Sequence, residues 1–206
     1  MDLLTFLLAV LLLEFTPGPN MTYLATLALS RGRLAGLVAT AGVALGLAVH
    51  ALVAGLGAGV LIQQYPLLYE VLRWIGVGYL LYLAWEGWWT QKETPVERTD
   101  LATMAGPLFL RGFLSNVFNP KSILFFVSVL PNFVGTGPNA LSLPTQMAVF
   151  GILYVGVATA THGTIVILAA QLRPWLVEGS QQQTVRRILS LVLALVAIWL
   201  AWTTRR

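Results

Sequence analysis

The chain has 206 residues, of which 57% are hydrophobic and 10% charged, and its mean hydropathy is +0.79. Soluble domains carry about 25% charged residues, so a soluble enzyme or scaffold is excluded and an all-α membrane protein is expected. Cysteine is absent, which removes disulfides, thiol catalysis and thiolate metal sites. The net charge of +4 comes from basic residues standing singly or in pairs at span ends, with no basic face to bind nucleic acid.

A spanning helix needs roughly 20 apolar residues. The hydrophobic pattern predicts six: about 3–29, 35–62, 67–89, 108–131, 145–171 and 185–203. They make a single membrane domain, 1–206, with a first half over about 1–89 and a second over about 108–206. The cytoplasmic linker between them, about 90–107, carries most of the loop charge. Asp2 precedes the first apolar run, no basic residue does, and no small-residue cleavage site follows, so a cleavable signal peptide is not expected.

The first span does not run cleanly. The stretch EFTPGPN, Glu14 to Asn20, interrupts it with a carboxylate, two prolines and a glycine. Proline lacks an N–H and clashes with the carbonyl one turn back, so the helix should open and free several carbonyls. In a bilayer such groups belong in the protein interior or along a wet cavity. The restarted half-helix points its positive end at the gap, which suits a carboxylate, while the freed carbonyls suit a cation. A zwitterionic amino acid presents both charges.

The second half echoes the first. FTPG at Phe15–Gly18 matches FNPK at Phe118–Lys121, QQYP ending at Pro66 matches QLRP ending at Pro174, and LAW at Leu83–Trp85 recurs at Leu200–Trp202. Three spans per half is odd, so the second copy enters the membrane from the opposite side. Two inverted three-helix repeats are therefore predicted, with proline-broken helices 1 and 4 at Pro17 and Pro120. Transporters built this way place their sites near the midplane, at interrupted helices in matching positions.

Glu14 lies roughly eleven residues into its span, or about 16 Å at 1.5 Å per residue, and Lys121 reaches a similar depth from the other side. Ionisable residues inside a membrane are costly and usually functional. The two either neutralise each other as a structural pair or face a cavity where they contact substrate or exchange protons. Thr16, Asn20, Asn116, Asn119 and Ser122 complete a polar lining or cap and pack helices. His50 shares a helix face with Gly42 and Gly46, a close-packing pattern that serves equally within one bundle or between the copies of a homodimer. His162 lies in ATATHGT on span five with Tyr154 two turns earlier, which suggests a proton path or an interhelical hydrogen bond. Glu86, beside the inner tryptophans, reads as interfacial.

Basic residues set the orientation, since Lys and Arg collect on the cytoplasmic side. Arg31, Arg33, Lys92, Arg98, Arg111, Arg173, Arg186 and Arg187 fall on one side; Arg73, Arg205 and Arg206 on the other. Both termini should face outward. Trp85, Trp88, Trp89 and Trp175 would form an inner aromatic belt and Trp74, Trp199 and Trp202 an outer one.

An early TPGPN, an NPK opening the second half, six spans and about 200 residues resemble the LysE/RhtB family of bacterial amino-acid exporters over the whole chain. The resemblance implies proton-driven efflux of amino acids such as lysine, arginine, threonine or homoserine across the inner membrane. Its signature falls on Pro17, Gly18, Pro19 and Asn20, and on Asn119, Pro120 and Lys121; Glu14, Tyr154 and His162 come from the residues themselves. Branches that use cysteines do not fit. The main expectation is a secondary exporter of amino acids or similar small zwitterions; the alternatives are a channel, or an exporter of other small metabolites, and more remotely a membrane enzyme. Two histidines on different spans and one deep carboxylate form no metal-ligand spacing, so no metal or cofactor is expected.

Overall fold

The computed structural model describes residues 3–15, 18–56, 65–89, 101–135, 141–176 and 182–203, and all regular structure among them is helical. The α-helices are α1 (Leu3–Phe15), α2 (Pro19–Arg31), α3 (Arg33–Gly55), α4 (Pro66–Trp89), α5 (Leu101–Val117), α6 (Pro120–Leu124), α7 (Leu143–Leu176) and α8 (Gln182–Thr203).

The first expected span is two helices. The axes of α1 and α2 differ by 56°. Pro19 takes the first position of α2, where an N–H would have no intrahelical partner anyway. Thr22 ties down this start by donating both its N–H and its hydroxyl to the Gly18 carbonyl, each at 3.0 Å. The fourth expected span breaks in the same manner, with a 48° bend between α5 and the segment that follows. Pro120 opens α6, and the Asn119 side chain caps it by accepting from the Lys121 N–H at 3.0 Å. The chain then passes through a π-helical stretch, Phe125–Val129, and a 3₁₀ turn, Leu130–Phe133. Gly32 alone separates α2 from α3, at a φ of 86° that L side chains rarely adopt.

The central element is α2, which packs against α3, α5, α7 and α8. Around it α3 lies on α5 and α7, α4 lies on α8, and α1 rests on α7. Helices α3 and α5 cross with their backbones in contact. A Cβ on Gly42 would collide with the Phe109 carbonyl, and one on Gly112 with the Ala39 carbonyl, so only glycine lets these backbones touch. Gly46 in turn faces Asn116. The Gly42–Gly46 face is thus used inside the chain, and the case for a homodimer drawn from it falls away. The outer surface is apolar: Leu12, Leu52, Ile152, Leu195 and Trp202 are each more than half exposed, as suits a surface that meets lipid.

Several boundaries differ from expectation. Residues 101–107, assigned to the linker, form the first turns of α5, with Pro107 inside the helix; the rest of the linker lies outside the described residues. Helix α7 has 34 residues, about 51 Å at 1.5 Å per residue against a hydrocarbon core of about 30 Å; Leu143–Leu176 passes the expected 145–171 by two residues at one end and five at the other. Pro66 opens α4, whereas Pro174 lies in the last turn of α7, so that proline pair does not hold matching positions.

By length and composition α3 and α7 can each cross a membrane, and the bent pairs α1–α2 and α5–α6 raise the number to four if each is one span. Helix α4 is 24 residues long but contains Glu70, Arg73 and Glu86, while α8 offers only Arg187–Trp199 as an apolar stretch. The α4 charges are met locally. Arg73 donates to Glu70 at 2.6 Å and to the Ala201 carbonyl at 2.9 Å, and Glu86 pairs with Arg111 at 2.7 Å.

Candidate functional site: a polar cavity at the two helix breaks

The two breaks meet. Glu14, in the last turn of α1, and Gly18 and Asn20, at the start of α2, line one small cavity with Asn119, Lys121 and Ser122 from the second break and Tyr154 and His162 from α7. Met21 and Leu47 complete its wall. Pro19 and Pro120 set the helix starts on either side. Thr16 and Pro17 lie outside the described residues.

Glu14 is 5% exposed and is held from α7. The Tyr154 hydroxyl donates to Oε1 at 2.8 Å, and His162 Nε2 stands 3.3 Å from Oε2. A buried carboxylate with no partner would be costly; here both oxygens are engaged. Lys121 reaches elsewhere. Its Nζ donates to the Leu13 carbonyl at 2.6 Å, one of the groups the end of α1 leaves without a helical partner. A carbonyl freed at the first break is thus taken by the protein's own lysine.

Asparagines frame the rest. Asn119 is engaged as a helix cap. Asn116 is fully buried and donates from Nδ2 to Ser122 Oγ at 3.3 Å. His50, placed on the packing face, sits beside it, with Nε2 3.2 Å from the Asn116 carbonyl. Among the described residues Asn20 Oδ1, Asn116 Oδ1 and His162 Nδ1 are buried with no partner. Buried polar atoms are nearly always satisfied; Asn20 and His162 line the cavity, whereas Asn116 Oδ1 lies against Gly46 at the α3–α5 crossing. The cavity's free volume is about 10 Å³, roughly the room one water needs; the site is closed in this conformation.

Sequence reasoning missed what fixes Tyr154. Its ring stacks on Phe125 with centroids 4.0 Å apart and meets Phe126 edge-on at 5.2 Å. Both phenylalanines begin the π-helical stretch, and such stretches are frequent at functional sites. The only hint in the sequence is the aromatic pair a few residues beyond NPK, and nothing in it signals a change of helical pitch. Among the described residues no group of three His, Asp or Glu side chains is placed to hold a metal ion.

Curated relatives share most of this chain. It is 27% identical over 201 residues to a homoserine/homoserine lactone efflux protein of Salmonella typhimurium, covering 95% of this chain and 94% of the relative. It is 31% identical over 174 residues to an uncharacterized membrane protein of Vibrio cholerae, covering 82% and 81%. A leucine efflux protein of Salmonella typhimurium is 29% identical over 157 residues, covering 73% and 74%. No solved structure gives a significant match. The LysE type translocator family matches residues 11–204, almost the full length, and the chain belongs to that family.

Proposed function

We propose that this protein is a secondary exporter of amino acids or similar small zwitterions in the bacterial inner membrane. The observation that carries the reading is the convergence of both broken helices on one small polar cavity, with a carboxylate, an ammonium group and the unpartnered amide oxygen of Asn20. Relatives named for homoserine and leucine efflux support the substrate class. In this reading the chain crosses the membrane six times, as two inverted three-helix repeats with both termini outside. The substrate binds between Glu14 and Lys121, its ammonium toward Glu14 and Asn20 and its carboxylate toward Lys121 and the start of α2 or α6. Glu14 and His162 exchange protons as the site alternates. Rocking one half against the other about the two breaks would open it first to one side and then to the other.

The concentration of polar groups at the two breaks, rather than along several helices, favours a carrier over a channel. The relatives' names favour transport over catalysis. The test is counterflow in proteoliposomes. Purified protein loaded with L-leucine or L-homoserine should exchange labelled amino acid saturably, faster when a proton gradient is imposed. Linear, non-saturable flux would favour a channel, and no flux of any amino acid would refute the exporter.

A further inference from the structure

A second polar pocket lies further along α2. Tyr23, Thr26, Ser30, Glu86, Arg111 and Ser190 are among its lining residues, contributed by α2, α4, α5 and α8. It lies toward the Arg31 end of α2, whereas the cavity at the breaks lies at its start. From Asn20 to Ser30 is about 15 Å along a helix that rises 1.5 Å per residue.

Three observations set this pocket apart from ordinary packing. The first is the Glu86–Arg111 pair, in which Arg111 Nη1 donates to Glu86 Oε2 and Nη2 to Oε1, both at 2.7 Å. The two side chains are 32% and 34% exposed, so the pair is not sealed in the interior. The second is Tyr23, 6% exposed, whose hydroxyl has no partner among the described residues. The third is the row it belongs to. Asn20 Oδ1, Tyr23 Oη and Thr26 Oγ1 all lack partners there, and they recur every three residues, so they climb one side of α2. Asn20 lines the cavity at the breaks, and Tyr23 and Thr26 line this pocket. Inside a membrane, polar groups belong in the protein interior or beside a cavity and not against lipid.

The pair's geometry matches a head group with two charges. A planar guanidinium holds a carboxylate by two parallel hydrogen bonds, and Glu86 occupies that fork now. The carboxylate of an amino acid can take its place while the substrate's ammonium turns to the released Glu86. One ion pair becomes two, and neither Arg111 nor Glu86 loses an opposite charge, which would otherwise be strongly unfavourable. The free volume of about 50 Å³ is too small for an amino acid while the pair is closed, so entry requires the two side chains to part.

We infer that the Glu86–Arg111 pocket is a loading site for the zwitterionic head group of the substrate, opened by exchange of the internal carboxylate for the substrate's and leading along Tyr23 and Thr26 to the cavity at the breaks. The inference rests on the exporter reading. It assigns to Glu86 and Arg111 a role separate from Glu14 and Lys121.

The concentration dependence of counterflow tests it, with L-leucine and L-homoserine as probes. Arg111→Gln should raise KM about tenfold or more, as expected for loss of a charged hydrogen-bonded contact, with Vmax changed less than about twofold. L-leucinamide, which lacks the carboxylate, should compete poorly with L-leucine in wild type and no worse in Arg111→Gln. If Arg111→Gln does not fold, the double variant Glu86→Gln/Arg111→Gln removes both charges together and should show the same rise in KM. An unchanged KM in whichever variant folds overturns the loading site and leaves the exporter standing. If wild type carries neither amino acid, the exporter reading fails instead and the site is judged by binding. Stabilisation of wild type against heat by L-leucine or L-homoserine, lost in the variant, would sustain it; no such stabilisation would overturn it.

Discussion

Lys121 Nζ donates to the backbone carbonyl of Leu13 at 2.6 Å, so the cation of the second helix break caps the helix that ends at the first. The contact lies one residue from Glu14, whose carboxylate belongs to Tyr154 and His162. The two breaks are thereby latched by a backbone acceptor and a side-chain donor. A substrate carboxylate arriving at Lys121 would compete with that latch.

Lys121→Met should therefore abolish efflux and also loosen the closed state. The unpaired Leu13 carbonyl alone should lower stability by about 1–3 kcal/mol, leaving a protein that still folds. Glu14→Gln should abolish efflux too, since the amide keeps a hydrogen bond to Tyr154 but neither carries charge nor exchanges a proton with His162. Counterflow and a thermal melt of each purified variant check both. Wild-type transport by either one would remove that residue from the mechanism.

The Phe125–Tyr154–Phe126 arrangement makes a separate prediction. Tyr154→Phe removes the donor at 2.8 Å from Glu14 but keeps a ring stacked 4.0 Å from Phe125. It should cost about 1.5–3 kcal/mol, the range for a hydrogen bond to a charged group. Tyr154→Ala also empties the space between the two phenylalanines and should cost a further 3 kcal/mol or about that. Equal losses in the two variants would show that the ring clamp contributes nothing.

Much of the site was legible because prolines and charges are conspicuous inside apolar runs. Glu14, Pro19, Asn119, Pro120 and Lys121 stand out against leucines, and the helices do restart at both prolines. The partners were not legible. Lys121 meets a carbonyl, and a backbone acceptor looks the same at every residue. Arg111 and Glu86 are 25 residues apart on different helices, so no local spacing announces them, and Glu86 reads from sequence as a mere interfacial charge. The π-helical turn begins at Phe125, whose ring stacks on Tyr154 29 residues away, and no local pattern announces it. Leu101–Pro107 reads as linker because glycine and proline end the apolar run there, yet the helix continues through both.

The α3–α5 crossing predicts opposite signs for glycine substitutions. Gly42→Ala and Gly112→Ala drive a methyl into the Phe109 and Ala39 carbonyls and should each destabilise by about 1–3 kcal/mol as overpacked sites do. Gly78 and Gly156 have open space where a Cβ would go; replacing either with alanine should stabilise by up to about 1 kcal/mol through helix propensity. Thermal melts of the four single variants decide it. Like responses from both pairs would mean that the backbones do not touch at this crossing.

The orientation can be sharpened by the ion pairs. Arg111 is neutralised by Glu86 and Arg73 by Glu70, and Arg73 further donates to the Ala201 carbonyl. Neither is a loose interfacial cation of the kind that sets topology. Setting Arg111 aside from its eight leaves seven basic residues on the expected cytoplasmic side, and setting Arg73 aside from its three leaves two, Arg205 and Arg206. The bias persists, so both termini should face outward. The chain has no cysteine of its own, which makes labelling direct. Asp2→Cys and Arg206→Cys should each react with a membrane-impermeant maleimide applied to the outer face of the inner membrane in spheroplasts. Arg33→Cys, beside the Gly32 turn, should react only after the membrane is opened. Labelling of Arg33→Cys in intact spheroplasts, with the termini protected, would invert the orientation and place the Glu86–Arg111 pocket toward the outside.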